Sequence, residues 1–411
     1  MPSSDTEVLI VGAGAAGLAA GRRLRDAGVP CLLVEARARR GGRAWTVVES
    51  GLALDLGCGW LHSADRNPWT GIAKQQGRPI DKTPPPWERP SIEDRFSLAD
   101  QRDYFRAQRA FDERLEAEAD CEPDRNAAAF LEPGCRWNAL MNGVSTFYSG
   151  AELERLSARD LASYQEDNAN WRVVGGLGTT IEAYGVNLPV ELQCPVHRID
   201  HSGKRLTIET AKGNITADRA IVTLPTPLLA QPGLFAPALP DKAAAAAGLP
   251  LGLADKLFLS LEGAEEFAEN SRVFGSIDRV ATGSYNLRPF GWPVIEVYFG
   301  GALAWQLEEG GDAAFLDFAT SELTEFFGVP FARRIKPLRL NRWGADPFAR
   351  GSYSYAVPGK ADARAALAAP VDDRMFFAGE ACSSTDFSTV HGAFATGIAA
   401  ADAIIAARQR S

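Results

Sequence analysis

Residues 8–35 read VLIVGAGAAGLAAGRRLRDAGVPCLLVE, a pattern that predicts a buried parallel strand, a glycine-rich turn, a helix and a second strand. In the turn, Gly12 permits a sharp bend, Gly14 leaves room for a pyrophosphate, and Gly17 lets the helix pack closely on the strand. The helix over 15–27 directs its amino-terminal N–H groups at the phosphates. We therefore predict a dinucleotide-binding unit.

The residues after the second strand bear on which dinucleotide binds, because the strand–helix–strand unit fits NAD and FAD equally. Glu35 ends the strand, where its carboxylate can accept hydrogen bonds from ribose hydroxyls, which favours an unphosphorylated ribose. A nicotinamide-dependent dehydrogenase normally continues to a third strand, whereas here the basic segment ARARRGGR follows directly. Its last residue, Arg43, can direct a bidentate charge at the pyrophosphate, or the segment is a solvated basic loop.

Composition and charge exclude several classes of protein. Of the 411 residues, 46% are hydrophobic and 23% charged, as in ordinary globular proteins, and the length suggests two domains. A formal net charge of -9 predicts no nucleic-acid or anionic membrane partner. The polar start MPSSDTEV and the lack of about 18 consecutive apolar residues predict neither a leader nor a membrane span. The scattered cysteines predict buried, reduced thiols and a cytoplasmic location, and the scattered histidines predict no metal site.

The order of predicted elements indicates an α/β fold whose first domain is interrupted twice. Proline accumulates from Pro79 onward, which marks a linker leaving that domain, and an acidic helical region follows. The glycine turn VVGGLGT and the strands over 190–224 mark a return to it. We predict that the dinucleotide-binding domain comprises residues 1–78, 171–248 and 342–411, and that an α+β substrate domain comprises 79–170 and 249–341.

The loop GCGWLHSADRNP has groups suited to chemistry beside a flat ring. Gly57 and Gly59 allow the backbone to approach the ring, with Trp60 beside them. His62 can accept or relay a proton there, and the alternative is a loop histidine held by hydrogen bonds.

A lysine lies in the apolar segment LADKLFLSL, where Lys256 shares a pleat face with Phe258. Because a buried ammonium is unfavourable, we expect Lys256 at the rim of the sheet or with a lowered pKa. The alternative is an edge-strand lysine that prevents aggregation.

The C-terminal segment supplies a second set of candidate groups. RMFFAGE predicts a strand that ends at Glu380, whose carboxylate can bind ribityl hydroxyls. The helix over 389–407 then directs its positive amino end toward the pyrimidine side of a flavin, where it would stabilise negative charge. The alternative is a helix that only packs on the sheet.

Together these segments resemble the flavin-dependent amine oxidases, the family of monoamine oxidases, polyamine oxidases and lysine-specific histone demethylases. The resemblance extends from residue 8 to residue 404 and is weakest over 91–170. Its motifs are VGAGAAGL, Glu35 with GGR, GCGWLHSADRNP, VVGGLGT, LADKLFLSL, RW with DPFARGSYSY, and FFAGE with TVHGAFATG. The WLH sequence with its following NP is closest to the polyamine oxidase branch. The resemblance implies a Rossmann-like FAD-binding domain of the glutathione-reductase type, with a substrate domain formed by two insertions.

The resemblance also implies site residues. Lys256 is expected to hold a water near the flavin N5, and His62, Tyr353 and Thr389 complete the predicted catalytic set. The predicted FAD contacts are Gly12, Gly14, Ala15, Ala16, Gly17, Glu35, Ala36, Arg37, Gly42, Arg43, Gly57, Gly59, Trp60, Val196, Trp343, Tyr353, Gly379, Glu380, Thr389, Val390 and Ala393.

Two departures from the family pattern affect these expectations. Ser352 stands where monoamine oxidases have the cysteine that binds FAD covalently, so we expect noncovalent FAD. Of the two aromatic walls in front of the flavin, Tyr353 is present, but Thr389 stands where many members carry tyrosine. Threonine there also occurs in the demethylases and some spermine oxidases, which weakens a monoamine assignment.

Our hypothesis is an FAD-dependent oxidase that deaminates a primary or secondary amine, with polyamines among the candidates, and that reduces O2 to hydrogen peroxide. The neutral amine would stack near Tyr353, and Tyr353 and Trp343 could recognise its cation before deprotonation. The alternatives are an L-amino-acid oxidase, with Arg288 as the candidate for the substrate carboxylate, a carotenoid or porphyrin desaturase, and a non-catalytic FAD-binding protein. The sequence does not indicate the oligomeric state.

Overall fold

The computed structural model describes residues 5–93, 95–118 and 120–410. Residues 1–4 and 411, at the ends of two predicted domain segments, lie outside these ranges. Strands and helices are numbered here in chain order.

The larger sheet has eight strands in the order β11-β8-β9-β10-β1-β2-β7, with β19 also paired to β10. Its strands are β1 (Asp5–Val11), β2 (Cys31–Val34), β7 (Val190–Glu191), β8 (Val196–Asp200), β9 (Leu206–Thr210), β10 (Gly213–Val222), β11 (Phe235–Ala236) and β19 (Met375–Phe377). The pairs that β1 forms with β2 and β10 are parallel, as are the β2–β7 and β10–β19 pairs. The predicted α/β fold with a parallel sheet is therefore confirmed.

The second sheet is antiparallel and has the order β14-β15-β16-β13-β17. Its strands are β13 (Ala254–Leu261), β14 (Ser271–Phe274), β15 (Ser284–Leu287), β16 (Val294–Gly300) and β17 (Ile335–Leu340). Three two-stranded pairs complete the strands: β3 (Thr46–Glu49) with β4 (Leu52–Asp55), β5 (Ile80–Asp81) with β6 (Arg172–Val173), and β12 (Leu251–Gly252) with β18 (Tyr353–Ser354).

The helices cover the large sheet, form the region that was predicted to be helical, and pack on the antiparallel sheet. They are α1 (Ala15–Asp26), α2 (Pro68–Gln75), α3 (Leu98–Glu118), α4 (Asn138–Ser149), α5 (Ala158–Ala162), α6 (Leu177–Tyr184), α7 (Thr226–Leu229), α8 (Pro240–Ala247), α9 (Gly301–Gly310), α10 (Asp312–Phe327), α11 (Ala363–Ala368) and α12 (Val390–Arg410). The proposed domain boundaries themselves stay a prediction.

Helix α12 packs against α1 closely enough to need a glycine. A Cβ atom on Gly397 would lie 2.2 Å from the carbonyl oxygen of Ala16. Within the described residues, Val390–Gln409 is the one helical stretch long and apolar enough to cross a membrane by length and composition, with a mean hydropathy of 1.5. Ala401 and Ile404 on this helix are fully buried in the same apolar cluster as Leu18 of α1, so this face of α12 serves as core.

The proline-rich segment after Pro79 is more than the predicted linker. Ile80 and Asp81 pair with Val173 and Arg172, so the segment is tied into the fold rather than leaving it. The cysteines also differ in part from expectation, because Cys121 is exposed whereas Cys194 and Cys382 are buried.

Candidate active site

A cavity of about 1130 Å³ collects the predicted site residues. Every residue of the predicted catalytic set and of the predicted FAD contacts lines it except Gly17. The volume exceeds the roughly 300–1,000 Å³ of a pocket for one small ligand. The lining joins the carboxyl ends of β1 and β2 to one face of the antiparallel sheet, so the cavity can hold a dinucleotide and a second, smaller molecule.

The glycine turn has the geometry that a pyrophosphate site requires. Gly12 has a φ of 105°, and a Cβ atom there would lie 2.4 Å from the Thr223 hydroxyl oxygen. A Cβ atom on Gly14 would come no closer than 3.8 Å to another residue, so this position is open. The first main-chain bond of α1 that follows the turn runs from Leu18 N to Gly14 O at 2.9 Å, and the N–H groups before it are available to phosphate oxygens.

Gly17 has a packing role rather than the predicted cofactor contact. A Cβ atom at this position would lie 2.0 Å from the carbonyl oxygen of Gly12. The missing side chain therefore lets α1 approach β1, and its effect on a bound dinucleotide is indirect.

Glu35 lies at the end of β2 and is 4% exposed. Its Oε2 accepts a hydrogen bond from Ala13 N and its Oε1 accepts one from Arg37 N, each at 2.9 Å. These bonds fix the carboxylate at the cavity wall and leave each oxygen a further lone pair. The arrangement fits the predicted role at a ribose.

Arg43 and Glu380 bind each other, although both were predicted to contact the cofactor. Arg43 Nη1 donates to Glu380 Oε1 at 2.9 Å and to the carbonyl oxygen of Ser352 at 2.7 Å. Glu380 Oε2 accepts from the Ser354 hydroxyl at 2.6 Å and from Ser388 N at 3.0 Å. Burial raises the pKa of Glu380, but Arg43 and Ser354 outweigh it and hold that pKa below its usual value. Much of the hydrogen-bonding capacity of this carboxylate is therefore used within the protein.

The reason predicted for Gly57 and Gly59 is wrong. A Cβ atom on Gly57 would lie 1.8 Å from the carbonyl oxygen of Arg43. One on Gly59 would lie 3.2 Å from Cβ of Asp55 and 3.4 Å from Nζ of Lys256. Both glycines line the cavity, but their missing side chains make room for protein atoms rather than for a ring.

Lys256 is buried in the middle of a sheet. Both earlier expectations, a position at the rim and an edge strand, are wrong because β13 lies between β16 and β17. Its Nζ donates to the Asp55 carbonyl oxygen at 3.0 Å and lies 3.1 Å from Glu296 Oε1. Burial favours a lowered pKa, but Tyr298 and Glu296 outweigh it, so the pKa of Lys256 is raised rather than lowered.

Glu296 balances a second buried cation. Arg172 Nη1 lies 3.1 Å from Glu296 Oε2, and the Glu296 side chain is fully buried. Burial raises the pKa of Glu296, yet Arg172 and Lys256 lower it to about 2. At neutral pH Glu296 therefore carries a negative charge between the cations Lys256 and Arg172.

His62 is a neutral base at the cavity wall. Its Nδ1 lies 2.6 Å from Asn170 Oδ1 and 3.9 Å from Glu166 Oε2, and its ring stacks on Trp87. Burial lowers the pKa of His62, against the opposing effect of Glu166. Because Nδ1–H donates to an amide oxygen, Nε2 is the nitrogen that can accept a proton.

The two predicted wall positions differ in what their hydroxyl groups do. Tyr353 donates to the carbonyl oxygen of Phe147 and presents its ring to the cavity. The Thr389 hydroxyl accepts from Gly392 N at 3.0 Å and donates to the Asp386 carbonyl oxygen at 2.6 Å. It therefore caps α12, and its O–H is already donated within the protein.

Several cavity residues were missed by the sequence analysis. Trp87 lies in the proline-rich segment that was interpreted as a linker, and it meets Trp60 edge to face at 4.5 Å. Glu296 stands in the buried run VIEVYFG, where a single acid among apolar residues was a signal as readable as Lys256. The cavity-lining residues without a predicted role include Trp87, Asn170, Arg272, Asn286, Glu296 and Tyr298.

Arg288, the candidate for binding a substrate carboxylate, lies outside the cavity lining. Its Nη1 donates to the Phe267 carbonyl oxygen at 2.7 Å, and Nη2 lies 3.6 Å from Glu269. Arg288 therefore stabilises the end of β15, and its predicted role at a carboxylate is wrong.

Comparisons with known proteins agree with this site. Residues 15–140 and 91–405 match the model of the flavin containing amine oxidoreductases. Polyamine oxidase 3 of Oryza sativa subsp. japonica is 29% identical over 97% of this chain and 89% of its own length. Polyamine oxidase 2 of Arabidopsis thaliana is 29% identical over 98% of this chain and 88% of its own length. A structure of wild-type putrescine oxidase bound to putrescine is 20% identical in sequence and superposes with a TM-score of 0.75. The match covers 98% of this chain and 99% of the putrescine oxidase chain. The cofactor is FAD, and the chain belongs to the flavin-containing amine oxidoreductase family.

Proposed function

We propose that this protein oxidises a primary or secondary amine with noncovalently bound FAD and O2, forming an imine and hydrogen peroxide. The observation that carries the proposal is the continuity of the cavity, which joins the glycine turn at Gly14 to Lys256 and to the neutral base His62. FAD, when bound, supplies the acceptor for a hydride equivalent from the α-carbon of the amine. The imine then hydrolyses to an aldehyde or a ketone.

The residues around His62 prepare the amine for oxidation. An ammonium group lacks the nitrogen lone pair that stabilises the cation left after hydride loss, so it must lose a proton first. Nε2 of His62 can accept that proton, while Asn170 fixes the orientation of the ring. The Glu166 carboxylate, whose Oε2 lies 3.9 Å from Nδ1 of His62, favours the protonated imidazole. The Tyr353 ring and Trp60 enclose the amine and exclude water.

Lys256 supports the second half-reaction. Its charge is held by Glu296 at the flavin end of the cavity, where it can bind a water and favour reduction of O2. Replacement of Lys256 by Met should slow flavin reoxidation more than flavin reduction. Rapid-mixing traces that show both half-reactions unchanged would contradict this role.

The decisive experiment is an anaerobic titration of the purified yellow protein with monoamines, diamines, polyamines and amino acids. The relatives named polyamine oxidases make polyamines one class to include. Bleaching of the flavin absorbance by an amine, with peroxide formed when air is admitted, would support the proposal. A flavin that no amine bleaches would favour the alternative of a non-catalytic FAD-binding protein.

A further inference from the structure

One face of the antiparallel sheet forms a wall of the cavity, and Arg272 stands on it. Directly opposite residues on neighbouring strands share a face, and the register places Arg272 in one row with Asn286, Glu296 and Phe258. The adjacent row on this face consists of Phe274, Ser284, Tyr298 and Lys256. Of these eight residues, all except Phe258 line the cavity.

Arg272 differs from the cations described above, each of which has a carboxylate beside it. Arg43 pairs with Glu380, and both Lys256 and Arg172 pair with Glu296. Across the described residues, Arg272 forms no ion pair, and its guanidinium stacks on the Phe274 ring at 4.7 Å. Its Nε is buried without a hydrogen-bond partner. Burial lowers the pKa of Arg272 to about 10, so it still has its charge at neutral pH.

The buried Nε of Arg272 has no partner in the protein, which is unfavourable, and an anionic ligand would supply one. A carboxylate matches the planar fork of arginine donors. The Ser284 hydroxyl and the Asn286 amide stand on the next strand and can donate to the same group. A second ammonium, as in a diamine or a polyamine, would be repelled here.

The strand order indicates how far the strand of Arg272 lies from the strand of Lys256. β13, which contains Lys256, and β14, which contains Arg272, are three strand spacings apart, or about 14 Å. In an α-amino acid the carboxylate is bonded to the carbon that is oxidised, so the molecule is too short to span this separation. A longer aliphatic chain between the amine and the carboxylate fits it.

We propose that the substrate is an aliphatic amine with a carboxylate at its far end, and that Arg272 binds this carboxylate. This inference rests on the proposed amine oxidation and names its substrate class. The amine is oxidised at the flavin end beside Lys256 and His62, and the carboxylate determines which amines bind well.

The test compares ω-amino acids, from 4-aminobutanoate to 8-aminooctanoate, with alkylamines and diamines of the same chain length. We expect KM for the best ω-amino acid to be at least about tenfold lower than for its matched alkylamine, as for a hydrogen bond to a charged group. In Arg272→Met the preference for ω-amino acids should disappear because their KM rises, while kcat changes little. Arg272→Lys should retain part of this preference. Arg339→Met, which removes a cation that lies outside the cavity lining on the same sheet, should keep the wild-type preference.

A binding measurement separates this inference from the proposed function. Octanoate has no amine, so its binding, followed by the change in flavin absorbance of the oxidised protein, needs no turnover. We expect octanoate to bind the wild type and Arg272→Lys more tightly than Arg272→Met. Oxidation of all the amines without preference for a carboxylate, together with octanoate binding equal in the three proteins, would overturn the inference and leave the proposed function intact. Octanoate binding lost in Arg272→Met, without oxidation of any amine, would contradict the proposed function alone.

Discussion

Glu296 is the residue on which the charge balance at the flavin end of the cavity depends. It is fully buried between Lys256 and Arg172. Glu296→Gln leaves two buried cations without their carboxylate, so we expect the free energy of unfolding to fall by about 3–5 kcal/mol. Denaturant unfolding of the apoprotein measures this, with Glu309→Gln on the exposed end of α9 as the control. A similar loss in both variants would show that Glu296 does not balance the pair.

His62 gives a prediction in the pH profile of catalysis. If its Nε2 takes the proton from the substrate ammonium, His62→Gln should lower kcat/KM near pH 7 by about 100-fold. Because the free amine becomes abundant at higher pH, most of this loss should be recovered as the pH approaches the pKa of the amine. The measurement is kcat/KM for one amine across this range. A loss that is constant at every pH would mean that His62 positions the substrate and does not accept its proton.

Single residues show where sequence reasoning reaches its limit. The pattern LADKLFLSL places Lys256 on the correct pleat face, with Leu257 and Leu259 in the core on the other side. It could not predict a raised pKa, because Glu296 and Tyr298 are about 40 residues away in sequence and depend on the register of β13 with β16. The glycine spacing likewise predicted a close approach to the backbone at Gly57 and Gly59, but it could not predict which atoms make that approach.

At the scale of elements, the amino end of α12 makes the fold sensitive to acid. His391, in its first turn, is 4% exposed, and burial lowers its pKa from 6.5 to about 4. Between these two pH values the unfolded chain binds a proton that the folded protein does not bind. The stability contributed by a neutral His391 is therefore complete above pH 6.5 and is lost as the pH falls toward 4.

His391→Asn should remove this part of the acid sensitivity. The expected effect is on the order of 3 kcal/mol between pH 6.5 and 4, measured as the difference in unfolding free energy at the two pH values. The pKa of Glu296 is lowered to about 2, so its contribution to stability is lost in a separate pH range, below 4.5. If the variant loses as much stability as the wild type between pH 6.5 and 4, another group must account for the loss in this window.

Elements with a clear sequence pattern were predictable, whereas the elements that lie beside them in the fold were not. The strands β1, β2 and β19 and the helix α1 all form where the sequence places them. Whether β13 was central or at an edge depended on β17, which contains Pro337 and the exposed Lys336 and Arg339. The segment around Trp87 was interpreted as a linker because proline disfavours regular structure, yet its ring completes the wall beside His62.

At the scale of the whole molecule, two remote parts of the chain form one site. Arg43 and Glu380 are joined by a hydrogen bond, and α1 and α12 pack in one apolar cluster. The motifs at the two ends of the sequence predicted this meeting through their family resemblance. Composition and periodicity alone could not, because neither contains information about which distant elements touch. The proposed substrate pocket was least predictable, since its wall consists of the cross-strand rows of the antiparallel sheet.

Gly397 tests whether the contact between α1 and α12 supports cofactor binding. A Cβ atom there would lie 2.2 Å from the Ala16 carbonyl oxygen, so Gly397→Ala must displace one helix from the other. We expect a loss of about 1–3 kcal/mol in unfolding free energy. We also expect weaker FAD binding, because Ala16 lies in the first turn of the helix that faces the phosphates.

The matched control is Gly71→Ala in α2, where the site is exposed and a Cβ atom would meet nothing within 4 Å. This change should stabilise the protein by up to about 1 kcal/mol, since alanine favours a helix more than glycine does. Titration of each apoprotein with FAD, followed by flavin fluorescence, gives the two affinities. Equal FAD affinity in both variants, despite a lower stability of Gly397→Ala, would show that the helix contact stabilises the fold without shaping the phosphate site.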